Sequence, residues 1–320
     1  MMKKITAFVL SFLMVIYMIP IPVSAAESYS KHFESSGQEL LSQYYGTKLD
    51  GLGEHAAILK KDQEDSFDGD VNSALLVDIT KNKVIASQNA LKKVYPASTT
   101  KVLTALLTLE NCKLTDEVTI KKDITFDESG VVAVGFKKGD KVKVEGLLNA
   151  LLIESANDCA VALAEHIAGS SKAFAKMMNQ RAKELGATHC NFVTSNGLHN
   201  KNHYITAYDM YLIFQEAIKY DAFLNIVKKA NYTLDYEMAS GAPVSLPMET
   251  TNHYILGDYI LPDNIFMVGG KTGTTNQAAS CLVILTEDSK GEQYISLIYH
   301  AANKDILYHT MSDLLEKTHK

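Results

Sequence analysis

Three short segments carry side chains that could do chemistry together. Ser98-Thr99-Thr100-Lys101 places a hydroxyl and an amine at positions i and i+3. On a helix these lie on one face, about one turn apart. A serine hydroxyl is a poor nucleophile without a base. Lys101 can take its proton only when neutral, which requires burial or a neighbouring positive charge to lower its pKa. Taken alone, the same residues also describe a capped helix start with a solvated lysine. Ser155-Ala156-Asn157 follows, 54 positions from Lys101 to Ser155. Its hydroxyl can relay a proton, and its amide can hold a substrate amide through a donor and an acceptor. Taken alone it is a turn between helices. The third segment, Gly269-Gly270-Lys271-Thr272-Gly273-Thr274-Thr275, puts Lys271 114 positions after Asn157. Its glycines let a ligand backbone approach a strand edge. Lys271 adds positive charge, and Thr272 and Thr274 add hydroxyls on one face. A phosphate loop needs GxxxxGK[ST] opening a helix; here the lysine precedes a glycine and a strand follows.

The elements that must position these groups follow from the hydrophobic pattern. Two apolar runs, 74–79 and 84–86, flank the polar turn 80–83 and predict a β-hairpin. Residues 99–109 are apolar at 102, 103, 106, 107 and 109, a helical spacing that Pro96 and Ser98 can start. Residues 145–225 predict helices: a buried-type run at 147–153, then 158–167 stopped by Gly169, 173–185 stopped by Gly186, and 207–218. Strand patterns return after about residue 230, at 265–268, 280–285 and 294–299. An amphipathic closing helix carries Ile306, Leu307, Met311, Leu314 and Leu315. Strands at both ends with helices between predict one sheet built from both ends, with an inserted helical lobe.

Composition narrows the function class. The chain has 320 residues, 47% hydrophobic and 21% charged, which is ordered globular composition with a core large enough to need no staples. A net charge of −6 argues against a nucleic-acid partner. Arg181 is the only arginine among 31 basic residues, so a bidentate anion clamp must use it or be built from lysines, hydroxyls and backbone N–H groups. Cys112, Cys159, Cys190 and Cys281 include no CxxC, and both disulfide pairing and four free thiols stay open. His199 and His203 have HxxxH spacing beside His189 and Cys190, but a zinc site needs a third and a fourth ligand brought together. Ordinary loop histidines explain the same letters, and no metal or cofactor is expected.

The first 25 residues read as an address. Lys3 and Lys4 precede an uncharged, mostly apolar run of 14 residues, 5–18, and Val23-Ser24-Ala25 supplies small residues for cleavage after Ala25. The apolar run is short for a membrane span of roughly 20 residues. Loss of two lysines takes the net charge from −6 to −8. The mature protein is therefore expected outside the cytoplasm, secreted or associated with wall or membrane. Residues 26–70 read as a polar leader or linker, and 71–320 as a single catalytic domain.

The order SxxK, SxN, KTG is the set found in penicillin-binding proteins and class A β-lactamases. From Asn72 to Tyr299 the chain resembles the serine-type D-alanyl-D-alanine carboxypeptidases, the low-molecular-mass penicillin-binding proteins of peptidase family S11. Residues 95–101 look like that family's nucleophile segment. Residues 154–158 and 160–166 look like its second motif and the helix after it. Ser195-Asn196-Gly197-Leu198-His199 resembles a family loop that usually reads Pro-His-Gly-Leu. The resemblance implies an α/β penicillin-recognising serine transferase fold: an antiparallel sheet flanked by helices plus an all-helical lobe, with Ser98 at the cleft between them. It implies acyl transfer with Ser98 as nucleophile, Lys101 as base and Ser155 as proton relay. Asn157, Lys271, Thr272, Gly273 and Thr274 would bind substrate, and backbone N–H groups of Ser98 and Thr274 would surround the oxyanion. The implied substrate is a peptidoglycan stem peptide ending in D-Ala-D-Ala, and β-lactams are the implied inhibitors.

Three departures qualify the likeness. The chain ends about 50 residues past Lys271, with room for the last strands and a helix rather than the further β-rich domain and amphipathic anchor that many members carry. No arginine follows the KTG motif, so Lys271, Thr272 and Thr274 would have to hold the substrate carboxylate. No ExxLN loop follows Ser155, which favours a peptidase inhibited by penicillin over a class A-like β-lactamase. The intact Ser98, Lys101, Ser155, Asn157 and Lys271 favour an enzyme over a catalytically silent peptidoglycan-binding module.

Overall fold

The computed structural model describes Ala57, Leu59 and residues 67–319 except Ser129. The expected signal sequence, 1–25, and most of the leader, 26–70, lie outside the described residues. In chain order the strands are β1 (Ser73–Asp78), β2 (Lys83–Gln88), β3 (Glu117–Thr119), β4 (Lys141–Lys143), β5 (Asn231–Glu237), β6 (Pro243–Glu249), β7 (Ile265–Thr275), β8 (Ala279–Asp288) and β9 (Gln293–Ala301). The helices are α1 (Lys101–Asn111), α2 (Val144–Leu152), α3 (Asn157–Ala168), α4 (Ser171–Glu184), α5 (Ala207–Ala217), α6 (Asp221–Val227), α7 (His253–Leu256) and α8 (Lys304–Leu315).

The main sheet is antiparallel with order β2-β1-β9-β8-β7. The first hairpin and the last three strands meet where β1 pairs with β9, so the sheet is built from both ends of the domain as the pattern predicts. All six residues of β1 are buried. This explains its unbroken apolar run, because a strand covered on both faces has no polar side to alternate with. Alternate residues serve two cores. Ala74, Leu76, Leu282, Ile284 and Ile298 pack with Leu307, Met311, Leu314 and Leu315 of α8. Leu75, Val77, Val283, Leu285 and Leu297 join the larger core shared with α1 to α6. Ala57 and Leu59, from the segment read as leader, are buried there too. The Ala57 N–H donates to Tyr211 Oη at 2.8 Å, and its carbonyl accepts from Tyr208 Oη at 2.9 Å.

The lobe is mainly helical and carries a four-stranded sheet, β3-β4-β5-β6, that the periodicity did not disclose. Its strands offer little pattern: β3 and β4 are three residues long with one buried valine each, Val118 and Val142. β5 and β6 bury only Leu234 and Met248. The predicted helices stand within a few residues of their expected bounds. α3 ends at Gly169 in the left-handed conformation that glycine adopts without steric cost. The glycine-rich segment 269–275 lies inside β7 rather than between strands. Its pairing with β8 runs through Lys271–Val283 to Thr275–Ala279 at the sheet edge. Glycines carry no apolar side chain to mark a strand, and here they are demanded by contact. A Cβ on Gly270 would lie 2.3 Å from the Val283 carbonyl oxygen. All four cysteines are free thiols.

Candidate active site

Ser98 stands in a 3-10 turn, Ala97–Thr100, that leads directly into α1. Side chains staple the turn. Thr99 Oγ1 donates to the Pro96 carbonyl at 2.8 Å and meets Tyr299 Oη at 3.1 Å. His203 accepts at Nδ1 from the Val193 and Thr194 N–H groups, so its other nitrogen donates to Thr100 Oγ1 at 3.0 Å. Burial pushes His203 down to about 4, keeping the ring neutral. Ala97 holds φ +47°, a left-handed conformation rare for a residue with a Cβ. The loop 195–197 lies against this turn, and Gly197 makes that possible: a Cβ there would sit 1.9 Å from the Ala97 carbonyl oxygen.

Lys101 begins α1 and is completely buried. Its Nζ lies 2.8 Å from Ser98 Oγ, 2.9 Å from Asn157 Oδ1 and 2.8 Å from the Asn196 carbonyl oxygen. A neutral amine has two N–H groups and one lone pair. It can donate to Asn157 and Asn196 and accept from the Ser98 hydroxyl, which satisfies all three contacts. Burial, then the nearby Lys271, holds the Lys101 pKa well below the ordinary lysine range; Cys159 and Asp158 oppose the shift. Lys101, the base expected from the SxxK spacing, is thus in contact with Ser98 and in an environment that favours its neutral form.

Ser155 occupies the junction between α2 and α3 with φ +70°. Its Oγ is buried without a hydrogen-bond partner. Asn157 opens α3. Its backbone N–H and Nδ2 both donate to the Val132 carbonyl, at 2.9 and 3.0 Å, while Oδ1 meets Lys101. From the sheet side, Lys271 is 1% exposed and donates to the Thr272 carbonyl at 3.0 Å. Burial lowers its pKa to about 7. Thr272 Oγ1 is hydrogen-bonded to Thr251 Oγ1. Gly273 brings β7 against the nucleophile turn, since a Cβ there would be 2.8 Å from the Ser98 backbone nitrogen.

A cleft of about 720 Å³ joins these parts, lined by Ser98, Ser155, Asn157, Thr272, Gly273 and Thr274. All eight residues predicted for the site converge here, with Lys101 and Lys271 buried outside the lining. Further lining residues were not anticipated, among them Val132, Thr251, His253 and Lys304. Lys304 Nζ donates to His253 Nε2 at 3.0 Å, and His253 Nδ1 donates to Asp258 at 2.6 Å. The Asn196 carbonyl was missed as a partner of Lys101 because a backbone oxygen has no letter of its own. Arg181 lies elsewhere, in α4, with its guanidinium against Glu110 at 2.7 and 2.9 Å and Glu216 at 3.3 Å. Among the described residues, no three His, Cys, Asp or Glu side chains are grouped to hold a metal ion. Nor does any helix among them have the length and apolarity to cross a membrane.

Comparison with known proteins agrees with the geometry. Residues 60–303 match the profile of the peptidase S11 family, described as D-alanyl-D-alanine carboxypeptidase. A D-alanyl-D-alanine carboxypeptidase of Bacillus subtilis, DacF, is 31% identical over 218 residues, which are 67% of this chain and 53% of that protein. The chain therefore spans about half the length of that relative. A mutant DD-transpeptidase of Streptomyces superposes with a TM-score of 0.70 at 23% identity, covering 78% of this chain and 98% of that one. Penicillin-binding protein D2 of Listeria monocytogenes, in its ampicillin-bound form, gives 0.65 at 26% identity, covering 79% and 98%. The fold is that of the penicillin-recognising serine enzymes, and the chain belongs to the D-alanyl-D-alanine carboxypeptidase family, peptidase S11.

Proposed function

We propose that this chain is a serine D-Ala-D-Ala carboxypeptidase that removes the terminal D-alanine from peptidoglycan stem pentapeptides and is acylated by β-lactams. The observation that carries the reading is the 2.8 Å contact between the Ser98 hydroxyl and a buried lysine amine whose other hydrogens have neutral acceptors. Lys101 takes the Ser98 proton as Oγ attacks the penultimate D-Ala carbonyl. The Ser98 and Thr274 N–H groups stabilise the oxyanion; loss of one such donor costs about 2.7–4 kcal/mol. Collapse of the tetrahedral intermediate breaks the peptide bond. Ser155 delivers a proton to the departing D-Ala nitrogen, which gives its otherwise unpartnered hydroxyl a role. Asn157 holds the peptide with its remaining amide capacity. Lys271, Thr272 and Thr274 receive the substrate carboxylate, and Gly273 leaves room for the peptide backbone along the β7 edge. Water then hydrolyses the acyl-enzyme and releases the tetrapeptide.

We place the reaction outside the cytoplasm, with residues 1–25 as a cleaved secretory signal and a catalytic domain that comprises 71–320 together with the core residues Ala57 and Leu59 ahead of it. Mass spectrometry of a stem pentapeptide incubated with the wild-type protein and with Ser98→Ala tests the activity and its nucleophile together. Loss of one alanine with the wild type alone is expected. An unchanged pentapeptide with folded wild-type protein overturns the reading, and catalytic consumption of penicillin reassigns the site to a β-lactamase.

A further inference from the structure

The carboxylate of Asp158, one position after the SxN motif, is fully buried yet touches no cation. Its Oδ1 accepts from the N–H groups of Val134 and Cys159, at 3.1 and 3.0 Å. Its Oδ2 accepts from Gly135 at 2.8 Å and, at longer range, from Phe136 at 3.4 Å. Together with the two bonds from Asn157 to the Val132 carbonyl, residues 157–158 tie down the whole stretch 132–136. That stretch forms no helix or strand, so no ladder of its own fixes it. Immediately before these anchors, Gly130, Val131 and Val132 line the cleft, with Val132 43% exposed. After them, Phe136 is buried edge-on against Tyr236.

From this we infer that Asp158 is a positioning residue that sets the 130–136 wall of the cleft. A buried carboxylate is tolerated only where donors replace its water, and here the loop's own amides are those donors. The loop is therefore held by the two acceptor oxygens of Asp158, and replacing one of them with a donor releases it. The role rests on the proposed acyl-transfer reading.

Asp158→Asn tests it in the full chain, because an amide group turns donors toward the loop amides while keeping the volume. KM for the pentapeptide should rise on the order of 10-fold, the scale of one lost charge-assisted hydrogen bond. Limited proteolysis should newly cut within 128–136. The value of kcat should change far less than KM, because Lys101 keeps its contact with Ser98. A merely structural aspartate would lower kcat and thermal stability together and leave KM near that of the wild type. Gly135→Ala is the companion variant. Its φ of +88° strains a Cβ in otherwise open space, so it loosens the loop and leaves the carboxylate in place. It should raise KM in the same way, again with kcat changed far less. An Asp158→Asn protein with wild-type KM and protease resistance overturns the inference, as does an unchanged KM in Gly135→Ala if Asp158→Asn does not fold. Wild-type protein that neither cleaves pentapeptide nor takes up penicillin sinks the acyl-transfer reading instead, so the two failures are distinguishable.

Discussion

Lys101 and Lys271 are both buried beside one cleft, one on a helix and one on an edge strand, and they are held differently. Lys101 has three polar contacts at 2.8–2.9 Å, all to neutral groups. Lys271 has one, the carbonyl of the next residue. Burial lowers both pKa values, but Lys101 has the positive Lys271 as a second cause, while Lys271 has burial alone. The difference assigns roles. A neutral amine saturated by two acceptors and a hydroxyl is suited to take a proton. An amine poised at about 7 with unused donors is suited to supply positive charge to the cleft when an anion arrives. Lys271 adds to the effect of burial in lowering the Lys101 pKa, so neither lysine can be understood alone.

The largest effect should come from breaking the first half of this pair. Lys101→Ala removes the proposed base and should slow acylation by labelled penicillin about 10²–10⁴-fold, the usual worth of general-base catalysis. Stopped-flow or gel labelling with folded variant measures it, and wild-type acylation would assign the base elsewhere.

The second half should break more gently and with a sign. Lys271→Met removes positive charge next to Lys101, so the Lys101 pKa rises and the acid limb of kcat/KM moves to higher pH. At neutral pH the loss should be about 10–100-fold, the scale of a lost hydrogen bond from a charged donor. Stability should move the other way. The Lys271 pKa is about 7 in the folded protein against 10.5 for the ordinary side chain, so the folded state binds this proton more weakly than the unfolded chain does. The penalty is complete below about pH 7 and fades as pH rises to 10.5. Thermal melts should therefore show Lys271→Met above wild type at pH 6, with the gap narrowing toward pH 10. A gap that widens with pH contradicts the burial argument.

The same contrast explains what could be read before the fold was known. Groups with their own letters at fixed spacing were legible: Ser98 and Lys101 one turn apart, Ser155 and Asn157, and Lys271 to Thr274. So were elements with strong periodicity, such as β1, α1 and α8. Backbone contributions were not. The Asn196 carbonyl and the loop amides gathered by Asp158 could belong to any sequence. The lobe's small sheet stayed hidden because β3 and β4 bury one valine each. The KTG segment did not read as strand because its glycines are there to let Val283 and the Ser98 turn approach, and they show no alternation. Lys304 reaches the cleft through tertiary packing of α8, which no local pattern encodes.

The smallest expected effect concerns Ser155, which shares with Lys271 the property of being held at a cost. Its φ of +70° is a left-handed conformation, worth roughly 1–2 kcal/mol of strain for a residue with a Cβ. Its hydroxyl is buried without a partner. Ser155→Ala removes the orphan hydroxyl and keeps the strain. Ser155→Gly removes both, against the roughly 0.5–1 kcal/mol of backbone entropy that glycine loses on folding. Both variants should lose turnover, because the proposed proton relay is gone. The glycine variant should nevertheless melt higher than the alanine variant, by up to about 1.5 kcal/mol, or a few degrees in a domain of this size. Calorimetry on the two side by side isolates the backbone term. If alanine proved the more stable, the left-handed conformation at 155 would carry no strain, and Ser155 would be held there by its local turn rather than by the needs of the cleft.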